Sequence, residues 1–218
     1  MFDVPQELFD VFSKAQEFGF LGPAPVEGHI EHSLELVRAC EANGRRDCVM
    51  DLGSGGGVPG LVLGVAWQES TIVLLEANAR RAAFLRNSVD TLKLTERVAV
   101  LAERAETAAR DARHRGQYDL LVARGFGRPA VVAECGAPFL RTGGTLVVSE
   151  PPPTSGAGEI GGRGEQSSRW PVEGLSVLGL TPARAHSGRF GFQLLEMVSQ
   201  CPDRYPRRVG VPAKRPLF

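Results

Sequence analysis

A chain of 218 residues with 43% hydrophobic content is long enough for one α/β domain with a sizeable core and small additions. Its 25 basic and 25 acidic residues cancel, which argues against a protein that coats nucleic acid by bulk electrostatics. No apolar run reaches the roughly 18 residues of a membrane span, and the opening MFDVPQELFD carries acids where a signal peptide needs basic residues, so a cytoplasmic protein with no membrane partner is expected.

In chain order, Leu8, Phe9, Phe12, Ala15 and Phe18 recur at helical spacing within Pro5–Phe18, and Gly19 follows as a stop. Ile30, Leu34, Val37 and Cys40 mark a second helix over Ile30–Asn43, ended by Gly44. These two predict an N-terminal helical cap over residues 1–45, ahead of a sheet domain over 46–200. Strands then alternate with helices: strand Cys48–Leu52, a helix from Pro59, strand Thr71–Glu76, helix Ala79–Leu92, strand Arg97–Leu101 and a helix over Ala105–His114. Strand Tyr118–Ala123, a helix over Pro129–Leu140 and strand Thr145–Ser149 continue the series, which predicts a doubly wound, mostly parallel sheet. The Pro-, Gly- and Ser-rich stretch 151–168 is expected to be a mobile surface loop. Two further runs, Leu175–Leu180 and Gly191–Ser199, lie too close together for a helical crossover and are expected to complete seven strands as an antiparallel hairpin. The tail 201–218 carries Arg204, Arg207, Arg208, Lys214 and Arg215 against Asp203 alone; on charge, a phosphate contact and a merely solvated basic end both stand.

Cys40, Cys48, Cys135 and Cys201 form no CxxC pair, so they read as reduced, mostly buried thiols rather than a zinc knuckle or disulfide framework. His29, His32, His114 and His186 show no metal-ligand spacing, and no metal is expected. His32 shares a side with Leu36 and reads as structural; Phe190 and Phe192, flanking Gly191, read as strand packing.

VMDLGSGGGVPG, Val49 to Gly60, sets a hydrophobic strand end directly before Gly53, Gly55, Gly56 and Gly57, with Pro59 placed to start a helix. Glycines let the backbone turn sharply and approach a ligand, so a ligand is expected over this loop. Gly55-x-Gly57-x-x-Gly60 also satisfies the dinucleotide fingerprint, a weak signal alone. Asp51, just before the loop, is awkward beside a pyrophosphate and suits the cationic methionine amine of S-adenosylmethionine (SAM). Glu76 ends the next strand, where a carboxylate can accept from both ribose hydroxyls; capping the following helix is its bland alternative. After the third strand, Glu106 is a candidate for the adenine amino group and Ala105 for a backbone contact to the ring, beside a plain role for Glu106 as a helix N-terminal acid. Arg124 ends the fourth strand after four apolar residues and, with Phe126, places a cation and a ring at the ligand's edge.

Taken in order, DLGSGGGVPGLVL, LLEANARRAAFLRNSV, ERAE and VARGFG, flanked by GFLGPAPVEGHIEHSLEL and YPRRVGVPAKRPL, resemble the bacterial family called glucose-inhibited division protein B, also known as RsmG. Its members methylate N7 of a guanine in small-subunit ribosomal RNA. The resemblance implies a Rossmann-like class I SAM-dependent methyltransferase fold, SAM as cofactor, and ribosomal RNA of the small subunit as partner. Carried over by position, Gly53 and Val58 are implied as loop contacts to SAM, Glu76 as the ribose acid, Ala105 and Glu106 as adenine contacts, and Arg124 as the arginine near the methyl donor. The resemblance also points to Arg207, Arg208 and Lys214 as RNA contacts. Two positions depart from the family: Ser149-Glu150-Pro151 stands where members often have Lys-Gly, and Gly28-His29-Ile30-Glu31-His32 stands where they have Trp-x-Arg-His.

Methyl transfer from a sulfonium is an in-line displacement governed by alignment. Guanine N7 has an exposed lone pair and no proton to remove, so a general base is not required. The sequence has neither the Asn-Pro-Pro-Tyr motif of amino-group methylases nor a Pro-Cys nucleophile after the fourth strand. An unpaired guanine is expected to stack on Phe126 while Arg124 holds a phosphate or the cofactor carboxylate. A methyltransferase acting on a small molecule, which Glu150 would suit, a SAM-binding module without turnover, and a nicotinamide-dependent dehydrogenase are the rival readings.

Overall fold

Period-two alternation of apolar residues along the strands sorts them onto two faces of one sheet. The computed structural model describes residues 4–41, 46–151 and 169–218. In it β1 (Cys48–Leu52), β2 (Thr71–Leu75), β3 (Val98–Leu101), β4 (Tyr118–Ala123), β5 (Leu140–Ser149), β6 (Leu180–Ser187) and β7 (Gly191–Met197) form a seven-stranded sheet in the order β3-β2-β1-β4-β5-β7-β6. The first five strands run parallel, and β7 pairs antiparallel with both β5 and β6. Val49, Ile72, Leu74, Leu120, Val122, Val147 and Phe192 build the core on one face. Met50, Leu52, Leu75, Leu121, Ala123, Leu146 and Leu195 build the core on the other.

Helices cover both faces. On the first lie α1 (Gln6–Glu17), α2 (Val26–Glu41), α3 (Gly60–Ala66) and α4 (Ala79–Thr91), contributing Leu8, Phe12, Ile30, Leu36, Leu61 and Leu85. The first two share one core with Val49 of β1. On the second lie α5 (Ala105–Ala108), α6 (Pro129–Gly136), a 3-10 turn (Ala137–Phe139) and α7 (Val172–Ser176), with Val132, Phe139 and Leu175 buried. The basic tail ends in α8 (Val211–Lys214), and its Cys201 and Tyr205 join this second core. Cys40, Cys135 and Cys201 are buried free thiols, whereas Cys48 is exposed. Among the described residues no helix is long and apolar enough to cross a membrane.

Three expectations need correction. The run Leu175–Leu180 is not a strand: α7 buries Leu175, Leu178 packs behind it, and Gly179 turns the chain with φ of +84° into β6. Pro182 inside β6 is tolerated because β6 is the sheet's edge, and its pairing with β7 slips between Pro182 and Ala185. The helix expected over Ala105–His114 shrinks to the single turn of α5, and β5 starts earlier than expected, at Leu140 rather than Thr145. Of the loop expected at 151–168, 152–168 lies outside the described residues, as does the expected end of the second helix at Asn43.

Strand order reverses between β1 and β4, and the carboxyl ends of strands at such a reversal are where open α/β sheets take their ligands.

Candidate functional site

The glycine loop follows β1 at those carboxyl ends. Gly53 leaves β1 with φ of +77°, and its N–H and that of Ser54 donate to the Leu75 carbonyl at the end of β2, at 2.9 and 3.0 Å. A Cβ on Gly53 would stand 2.5 Å from Cδ2 of Phe126, so the loop and the ring are in direct contact. At the far end, a Cβ on Gly60 would meet Oδ2 of Asp51 and Cδ2 of Leu74, each at 2.4 Å. Val58, between them, is buried.

Two carboxylates hold this loop through its backbone. Asp51 is only 1% exposed and its Oδ2 accepts from the Gly60 N–H at 3.0 Å. Burial pushes its carboxyl up to about 7, against the hydrogen bonds from Ser54 and Gly60 and the charge of Arg124, which favour the anion. Glu76 accepts from the Gly55 N–H through Oε2 at 2.9 Å and from the Asn78 N–H through Oε1 at 2.7 Å. Asn78 caps α4, its Oδ1 accepting from the N–H groups of Arg80 and Arg81 at 3.0 and 3.2 Å. Helix capping therefore falls to Asn78, and each Glu76 oxygen keeps a lone pair for a further donor.

Arg124 directly follows β4 at the same end of the sheet. Nη2 donates to Nδ1 of His29 at 2.8 Å, whereas Nη1 is buried and has no hydrogen-bond partner among the described residues. Burial opposes the arginine's charge and Asp51 supports it. His29 was not singled out as a site residue from sequence; the signal that could have found it is a polar His29–Ser33 pair on the buried face of α2, four residues apart. His32 accepts or donates through Nε2 with Oγ of Ser149 at 2.7 Å and packs edge-on against Phe190 and Phe192, the structural role expected of all three.

The remaining predicted residues sit in varied settings. Ala105 is buried at the start of α5. Glu106 accepts through Oε1 from the Gly210 N–H at 2.9 Å, tying the tail to α5. Arg207 engages the buried Glu134 of α6 with Nε at 2.8 Å and Nη2 at 2.6 Å, and its backbone N–H adds a third bond at 2.9 Å. Arg208 and Lys214 are exposed on the same tail. Glu150 is not a free acid: Oε1 accepts from Nε1 of Trp170 at 2.7 Å and Oε2 pairs with Nε of Arg169 at 2.9 Å.

The donor set fits a zwitterionic nucleoside. A buried guanidinium nitrogen without a partner suits a carboxylate, Asp51 suits an ammonium, Glu76 suits hydroxyls, and the bare loop lets such a ligand lie against the main chain. Among the described residues no group of three or more His, Cys, Asp or Glu side chains is arranged to hold a metal.

Comparison with known proteins gives the chain a family and fold relatives. Residues 24–150 match the family model GidB, described as rRNA small subunit methyltransferase G. The chain is 36% identical over 203 residues to the ribosomal RNA small subunit methyltransferase G of Rubrobacter xylanophilus, covering 86% of this chain and 72% of that protein. To the protein of the same name from Deinococcus deserti it is 34% identical over 198 residues, covering 87% and 76%. In fold it is similar to an O-methyltransferase from Bacillus cereus solved in complex with SAH, with a TM-score of 0.61 at 15% identity, over 90% of this chain and 93% of that one.

Proposed function

The chain belongs to the GidB family, rRNA small subunit methyltransferase G, and from that premise we propose that it methylates N7 of a guanine in small-subunit ribosomal RNA with SAM as methyl donor. The observation that carries the cofactor reading is Nη1 of Arg124, buried and without a hydrogen-bond partner among the described residues, with its charge supported by Asp51, which holds the end of the glycine loop.

In this reading Arg124 receives the methionine carboxylate and Asp51 its ammonium. Gly53, Gly55 and Val58 shape the loop beneath, Glu76 accepts from the ribose, and Ala105 with Glu106 borders the adenine. When bound, SAM supplies an electrophilic methyl group on a sulfonium. The protein's own contribution is alignment and exclusion of water, because N7 attacks with a lone pair and releases no proton. Phe126, set on Gly53, borders the place where an unpaired guanine would stack. Arg208 and Lys214 offer exposed cations to phosphate; Arg207, bound to Glu134, helps by holding the tail in place. Glu150, paired with Arg169 and hydrogen-bonded by Trp170, no longer favours a small-molecule acceptor.

The test is mass spectrometry of ribosomal RNA from cells with and without the gene, with transfer of labelled methyl from SAM to isolated 30S subunits beside it. One 7-methylguanosine should vanish from the small-subunit RNA when the gene is deleted. An unchanged RNA, with label passing instead into a metabolite extract, would overturn the reading.

A further inference from the structure

We propose that His29 is a positioning residue: held neutral between Gly22 and Arg124, it anchors one guanidinium nitrogen so that the other points at the carboxylate of the bound methionine moiety. The inference deepens the cofactor reading and rests on it.

The geometry fixes the state of the imidazole. A guanidinium has donors only, so the 2.8 Å contact between Nη2 of Arg124 and Nδ1 requires Nδ1 to accept. The hydrogen then sits on Nε2, which donates to the Gly22 carbonyl at 3.2 Å. Both ring nitrogens are thus engaged, and the ring spans from the segment between α1 and α2 to the end of β4. Oγ of Ser33, one turn along α2, donates to the His29 carbonyl at 2.9 Å and ties that turn of the helix together. The arginine is left with Nη1 buried and unpartnered, while Asp51 supports its charge from β1.

A proton on Nδ1 would set donor against donor and cation against cation. Burial, with the charge of Arg124 adding to it, lowers the pKa of His29 from 6.5, so the neutral ring is the resting state, though the Gly22 bond works the other way. The other titratable groups around this network are His32 on α2, driven down to about 4, Asp51, near 7, and Glu76, which raises Asp51.

Calorimetric binding of SAM and of 5′-methylthioadenosine, which lacks the amino-acid end, separates positioning from mere packing. His29→Ala should weaken SAM about tenfold and leave methylthioadenosine within about twofold. His29→Asn puts an uncharged acceptor near the place of Nδ1 and should restore most of the SAM affinity. As pH falls from 8 the parent protein should lose affinity first through Asp51 near 7 and then, at a lower pH, through His29; the asparagine variant should show the first loss alone. Equal weakening of both ligands by His29→Ala, or unchanged SAM affinity, would overturn the positioning role. A parent protein that binds methylthioadenosine and SAM equally well would instead overturn the cofactor reading at Arg124, and the inference with it.

Discussion

In the proposed reading, Asp51 serves the fold and the ligand with opposite dependence on pH. Its carboxyl, ordinarily near 3.8, is raised to about 7 by burial. The folded protein therefore holds a proton between 3.8 and 7 that the unfolded chain lacks, and this group makes the ligand-free fold more stable as pH falls through that window. The cost of the buried charge is full above about 7. The proposed pairing with the SAM ammonium needs that same charge, so SAM affinity should fall over the range in which apoprotein stability rises. Melting temperature and calorimetric affinity measured from pH 8 to 5 should show opposed slopes, and Asp51→Asn, whose amide oxygen can still accept from Gly60, should flatten both around pH 7. An affinity that does not change through pH 7 would mean that Asp51 does not face the ammonium. The residue itself was legible from a carboxylate at a strand end before glycines. Its bond to Gly60 was not, because that bond depends on how tightly α3 returns over β1.

At the scale of elements, the strands were legible wherever hydrophobic period and burial agree. β1, β2 and β4 are apolar runs inside a parallel sheet, and their ends were placed within a residue. The edge was misread for the converse reason. β6, LTPARAHS, has little apolar character because edge strands need little, and the more hydrophobic segment before it buries Leu175 and Leu178 from a helix and its following turn. The junction from β1 to α3 is where local geometry bears most on the site, and two glycines contrast it with an ordinary turn. A methyl at Gly60 would press on Asp51 and on the buried Leu74, so Gly60→Ala should cost about 1–3 kcal/mol and, by displacing Asp51, abolish measurable SAM binding. Gly116 has open space and φ of +68° before β4, so Gly116→Ala should cost about 1–2 kcal/mol through backbone strain, with SAM affinity unchanged. Denaturant melts with binding isotherms on both variants check this; equal effects on SAM would show that the β1–α3 junction has no special part in the site.

For the whole molecule, the question is what the basic tail does once it is seen packed against α5 and α6. Its charge was legible, but its division of labour was not, because Glu134 lies 73 positions before Arg207 and only the fold brings them together. Arg115 reinforces the same docking, donating to the carbonyls of Cys201, Pro202 and Tyr205 at 2.9–3.1 Å. Glu134 is fully buried, so removing its partner leaves an uncompensated charge in the core. Arg207→Ala should therefore destabilise the protein by about 3 kcal/mol, the low end for a buried pair because the arginine itself is partly exposed. Arg208→Ala with Lys214→Ala should barely change the melt, yet weaken 30S binding and reduce the slope of its logarithmic salt dependence by about 1 for each phosphate that is no longer neutralised. Chemical denaturation and RNA binding from low to moderate salt separate the two cations' roles from that of Arg207. If the double variant bound 30S subunits with an undiminished salt slope, the exposed tail would not be what grips the phosphates. The acceptor's docking would then have to come from another face of the molecule, while the anchoring of the tail by Glu134 would stand on the stability measurement alone.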